Sequence, residues 1–260
     1  MGAAAVMLQL ALAGAAASIT PSGGELPANL LRFEVHFERA MPGISAQSIV
    51  LRDGAGRPLA DALLDLVLPN GDERTLVVLM QPGRIKHGVG PNLALGPALH
   101  EGERVTLEVR DPRLAHPLRR SWRITAPVTR ALVPAEWRLH APAAGGRAPL
   151  VLDLPSPINA GGAALIAIAE SDGRRVAGTA RLTAGETQWR FVPATPWQQG
   201  AYQVRVHADL EDPAGNRMCA PFEERLQSRR DCSAGASVDF NIGAPYQSRL
   251  TVSSTVRGGL

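Results

Sequence analysis

The stretch Leu31-Arg-Phe-Glu-Val-His-Phe37 decides the fold. Leu31, Phe33, Val35 and Phe37 fall on one face and Arg32, Glu34 and His36 on the other, which is the two-residue period of a strand with one buried and one wet face. The same period returns at Val105 to Val109, Leu150 to Leu154, Tyr202 to Val206 and Val238 to Ile242. Shorter apolar runs at Ser48 to Leu51, Thr75 to Met80 and Leu165 to Ala169 suit more deeply buried strands. No stretch sustains a helical period. Glycines (26) and prolines (21) are spread along all 260 residues, as many short strands and turns require. The expectation is an all-β protein.

Working outward, the two halves repeat each other. Leu31 to Phe37, followed by Glu38 to Pro42, matches Leu150 to Leu154, followed by Pro155 to Ile158. Ile49-Val-Leu-Arg-Asp-Gly-Ala-Gly-Arg57 matches Ile166-Ala-Ile-Ala-Glu-Ser-Asp-Gly-Arg174, each a strand running into a glycine turn of hairpin type. Thr75 to Met80 matches Thr187 to Val192, and Leu99 to Val109 matches Trp197 to Val206. Four blocks in one order signal a duplication. About seven short strands in roughly 100 residues per copy is the count of an immunoglobulin-like sandwich. Two tandem sandwiches are therefore expected, at 24–126 and 134–243, after a signal-like segment at 1–18 and before a flexible tail at 244–260. The link near Thr125 to Pro134 carries two prolines, which favours a stiff connection.

Several of these blocks resemble the bacterial immunoglobulin-like domain of the surface-layer (SbsA) type. The resemblance lies in the strand ending in a Pro-Met or Pro-Ile turn, the Asp-Gly-x-Gly-Arg hairpin, and Trp197-Gln-Gln-Gly-Ala-Tyr202 running through to Asp212-Pro-Ala-Gly-Asn216. It covers about Leu26 to Ile242. The first copy departs from it after Val109, where it reads Arg-Asp-Pro-Arg-Leu-Ala-His-Pro117, so its last hairpin should differ. The resemblance implies spacer, adhesive or binding modules in surface and exported proteins, and no catalytic residue.

The N-terminal run Met1 to Ser18 is apolar and ends in small residues that fit a cleavage site at Ala15 to Ala17, although no basic residue precedes it. About 15 apolar residues fall short of the roughly 20 needed for a membrane span. Export is expected, to the periplasm, the cell surface or the medium. In an exported chain Cys219 and Cys232 are expected to form a disulfide worth about 3 kcal/mol, stapling the excursion Ala220 to Asp231. A net charge of +3, arginines interleaved with acids and 4% aromatic residues argue against a nucleic-acid partner.

The first copy carries an insertion, Gly83 to Pro97, in which Arg84, Lys86, His87 and Asn92 could receive an anion or a partner's backbone. The alternative is a packed loop whose Ile85, Val89, Leu93 and Leu95 cover one end of the sandwich. Asp209, Glu211, Asp212 and Asn216 present oxygens suited to calcium, while a hairpin turn explains the same residues. The six histidines are scattered singly, and no Gly-x-Ser-x-Gly elbow surrounds any serine. Glu34, Glu108 and Asp153 could line a groove or simply occupy wet strand faces. Trp122, Trp137, Trp189 and Trp197 are expected in the cores. No motif identifies an activity. The expected function is a non-catalytic exported spacer or protein-binding module of the cell envelope, partnered by an envelope protein or a glycan. The alternatives are a carbohydrate-binding or carbohydrate-active envelope protein and a calcium-stabilised adhesin.

Overall fold

The computed structural model describes residues 17–85, 90–218, 220–222 and 235–243. Among them, strands dominate and form four sheets, two in each half of the chain. In the first domain one sheet runs β1(Ala17–Thr20), β3(Arg32–Phe37), β6(Thr75–Met80), β5(Leu63–Pro69) in space. The other runs β2(Glu25–Pro27), β8(Leu118–Thr125), β7(Arg104–Val109), β4(Ile49–Arg52). All pairings are antiparallel except β2 with β8. Phe33 and Val35 bury toward Leu51, Leu107 and Trp122, closing a sandwich core. The Phe33 and Trp122 rings lie 5.2 Å apart.

The second domain repeats the plan. One sheet is β12(Gly178–Thr183), β13(Gln188–Pro193), β10(Leu150–Asp153), β9(Arg138–His140), and the other is β11(Ile166–Glu170), β14(Gly200–Val206), β15(Ala236–Ile242). Each aligned block of sequence takes the equivalent place: β3 and β6 pair as β10 and β13 do, and β4 and β7 pair as β11 and β14 do. The core packs Leu150, Leu152, Ile166, Ile168, Trp189, Phe191, Trp197 and Tyr202. At the start of β14, the Tyr202 hydroxyl donates to the Gln198 carbonyl at 3.1 Å, a corner that immunoglobulin-like sandwiches use to fix the entry of this strand.

The β4 hairpin forms because the Asp53 carboxylate accepts N–H bonds from Ala55 and Arg57 at 2.9 and 2.8 Å, and Gly56 supplies φ of +81°. Two boundaries differ from the expected ones. Ala17 and Ser18, assigned by sequence to the signal-like segment, pair with Phe37 and His36 as the edge of the first sheet, ahead of the expected start at 24. Leu132, in the link, packs into the second core. The insertion 83–97 holds a short helix, α1(Gly90–Leu95). Residues 1–16 and the tail 244–260 lie outside the described residues.

Candidate functional site at the domain junction

The turn Asp209-Leu-Glu-Asp-Pro-Ala-Gly-Asn216 is closed by its own side-chain bonds, and it faces the first domain. Asp212 is 2% exposed and Asn216 1%. Asp212 Oδ1 accepts the backbone N–H groups of Ala214 and Asn216, each at 2.9 Å, and its Oδ2 accepts Asn216 Nδ2 at 2.9 Å. Gly215 takes φ of +78°, and a Cβ there would meet Leu31 Cδ1 of the first domain at 2.2 Å. A side chain here would be strained by the positive φ and would force Leu31 to shift.

From this turn a chain of bonds crosses to the first domain. Asn216 Nδ2 also donates to the Val128 carbonyl in the link at 2.8 Å, and its Oδ1 accepts the Phe222 N–H at 3.0 Å. Asn29 grips the same link residue: its Nδ2 donates to the Val128 carbonyl at 2.8 Å and its Oδ1 accepts the Val128 N–H at 2.9 Å. Leu31 N–H donates directly to the Pro213 carbonyl at 2.9 Å. Beside this, Arg32 pairs with Glu211 at 2.5 Å, and Glu211 also accepts from Asn159 at 3.1 Å. Across the seam Ser22 N–H donates to Glu186 Oε2 at 2.6 Å, with Glu186 5% exposed. A cavity of about 140 Å³ remains between the domains, walled by Pro27, Val128, Pro157 and Pro213 with Asp212 at its edge.

Burial pushes the Asp212 carboxyl above the usual carboxylate range, and neighbouring Glu211 adds to the push. The Asn216 side chain and the two backbone N–H groups oppose it without reversing it. The Asp212 oxygens are thus spent on the turn itself, Glu211 on Arg32 and Asn159, and Asp209 on Arg217 at 2.8 Å. The carboxylates proposed for calcium point at protein donors instead of converging. No group of three or more metal-capable side chains comes together among the described residues.

The other sequence candidates separate. Arg84 ties its own loop down, donating to the carbonyls of Gly96, Ala60 and Pro97 at 2.8, 2.9 and 3.3 Å. Asn92 sits on α1 with Nδ2 buried and without a partner among the described residues. Lys86 and His87 lie outside the described residues, as do Cys219 and Cys232 with their expected disulfide. Ile85 buries as the packed-loop alternative requires, but Leu93 and Leu95 are exposed. Trp122, Trp189 and Trp197 are buried, and Trp137 is half-buried against the second core. Of the three acids, Glu34 lies near Arg32 and His36, and Asp153 pairs with His140 at 2.7 Å. Glu108 is 1% exposed beneath Arg52, Arg110 and Arg119, at 3.3, 2.5 and 2.5 Å. Burial raises the Glu108 carboxyl, and the three guanidinium groups outweigh this and hold it below the usual range. The sequence reading missed Asn29 and Glu186, which no local pattern marks.

No family model matches the chain, and no curated protein matches it. Among solved structures, CopC from Methylosinus trichosporium OB3b is 17% identical, covering 45% of this chain and 95% of its own, with a TM-score of 0.26. A pair of tandem immunoglobulin domains of titin is 11% identical, covering 90% of this chain and 97% of its own, with a TM-score of 0.24. Domains 5–6 of the S-layer protein SbsC are 8% identical, covering 89% of this chain and 98% of their own, with a TM-score of 0.27. Similarity at this level carries no functional argument, and the sandwich assignment rests on the sheets described above.

Proposed function

We propose that the chain is a non-catalytic, exported two-domain module of the cell envelope, acting as a rigid spacer or as a scaffold that holds a protein partner at a fixed angle. The observation that carries this reading is the junction: the link is bonded from both sides, the Arg32 to Glu211 pair bridges the domains, and Gly215 admits Leu31 at contact distance. Tandem domains joined by a loose link move independently by default. Here the polar groups buried at the seam find these protein partners when the domains are held in this arrangement. Resemblance to surface-layer type domains, export and a Cys219 to Cys232 bridge belong to the same reading. Among the described residues the four tryptophans are buried or half-buried and offer no exposed ring for sugar stacking, which favours a spacer over a carbohydrate-active protein. No helix among the described residues is long and apolar enough to cross a membrane.

Small-angle scattering on the full chain tests the rigidity. The intact protein should fit a single orientation of the two domains, while Asn216→Ala combined with Arg32→Ala should require an ensemble. If the intact protein itself needs a broad ensemble, the spacer reading falls.

A further inference from the structure

The outer face of the first domain's β2, β8, β7, β4 sheet carries two arginines, Arg104 and Arg123, beyond the three that cover Glu108. Its cross-strand rows are Arg104 with Arg123, then Arg52 with Thr106 and Ser121, then Val50 with Glu108 and Arg119. Arg110 follows β7 and turns back onto Glu108. Five arginines therefore share this face. The acids near them are few: Glu108 is sealed beneath three of the arginines, Glu25 stands in register with Arg123, and Asp53 is held by Arg57 at 2.8 Å.

Arg104 and Arg123 stand directly opposite one another and are exposed, and neither forms an ion pair among the described residues. Like charges placed opposite each other weaken a sheet, and Glu25, in register with Arg123 on β2, is the one acid of that row. The hydroxyls of Thr106 and Ser121, 2.7 Å apart, lie between this free pair and the Glu108 cluster. The face is a flat strand surface without an aromatic side chain, so it offers guanidinium and hydroxyl groups and no platform for a base. Guanidinium groups bind carboxylate and phosphate in a paired fork geometry. Successive rows along a strand repeat at about 7 Å, so a linear polymer laid along the strands would bring charged groups over Arg104 and Arg123 and neutral hydroxyls over Thr106 and Ser121.

We propose that this face binds a linear acidic polysaccharide, with Arg104 and Arg123 as its principal contacts and Thr106 and Ser121 as hydrogen-bonding partners for sugar hydroxyls. The proposal goes beyond the spacer reading and stands without it. The second domain supplies an internal control: Arg181 and Arg190 are also opposed across strands, but Arg190 is half-buried and donates to Gln188, and the next row of that face holds one arginine, Arg138, in register with Asp153.

Titration calorimetry of the full chain with polygalacturonate, at about 50 and about 200 mM salt, tests it. Saturable binding that weakens with salt is expected, with none to neutral dextran. Arg104→Gln with Arg123→Gln should weaken it by about tenfold or more, whereas Arg181→Gln with Arg190→Gln should change it by less than about twofold. The first double variant removes a repulsion, so its melting temperature should stay level or rise, which separates lost contacts from lost folding. Absence of binding, equal losses in the two double variants, or a DNA duplex bound as tightly as the polysaccharide would each overturn the proposal.

Discussion

Glu108 and Asp212 are both acids that the fold covers almost completely, at 1% and 2% exposure, yet their charges are handled in opposite ways. Glu108 lies on the outward face of β7 and is covered by three arginines, two of which remain more than half exposed themselves. Asp212 is covered by its own turn and by the neighbouring domain, and receives only N–H donors. The first carboxyl is held below its ordinary range and the second above it. Burial alone therefore does not set the charge of a group. A countercharge in wet surroundings overcomes it, and neutral hydrogen bonds in dry surroundings do not.

The largest effect should come from the dry site. Asn216→Ala leaves Asp212 Oδ2 and the Phe222 N–H without this partner and removes one of two donors to Val128, so a loss of about 2–4 kcal/mol is expected in chemical unfolding. A loss below about 1 kcal/mol would show that water replaces these bonds and that the site is not dry. Glu108→Gln should cost less, about 1–2 kcal/mol, because the arginines it strands can turn to solvent. Should it exceed the Asn216 loss, the ranking of the two sites is reversed.

The smallest and most diagnostic effect is in the pH profile, where the signs are opposite. The lowered Glu108 carboxyl contributes stability present above its ordinary value of 4.5 and lost as pH falls through its folded value. The raised Asp212 carboxyl favours folding below its ordinary value of 3.8, and that contribution is lost as pH rises through its folded value. Glu108→Gln should thus flatten the acid side of the melting-temperature curve, and Asp212→Asn should reduce the loss on going from acid toward neutral pH. Asp212→Asn also sets an amide against Asn216 Nδ2, which lowers stability at every pH, so the slope is the quantity to compare. Identical slopes in wild type and both variants would remove the distinction.

Strands with one wet and one dry face were legible because alternation is a local property. Val105 to Val109 and Tyr202 to Val206 lie in strands, Leu31 to Phe37 does so from Arg32 onward, and the duplicated blocks took equivalent sheet positions. β5 was not legible: Leu66 and Leu68 are 45% and 43% exposed on an edge strand, so its apolar residues mark no buried face. β2, three residues long, is too short to show a period. At the junction, Asp212-Pro-Ala-Gly-Asn216 was legible as a turn from its own residues. That it docks on Leu31 and Val128 was not, because these contacts join positions remote in sequence. Glu108 was read correctly as lying on the outward face, but its cover comes from Arg52, Arg110 and Arg119, placed by register on three strands and their ends.

The Val128 carbonyl accepts one hydrogen bond from Asn29 and another from Asn216, so its two lone pairs are shared between the domains. Interdomain links are ordinarily the first place a protease enters, because cleavage requires the backbone to leave its surroundings and extend into the enzyme. To free Val128, both domains must release it together. The midpoint of this chain should therefore be among its slowest sites of cutting, and limited digestion should trim loops before it ever yields the two domains as separate fragments.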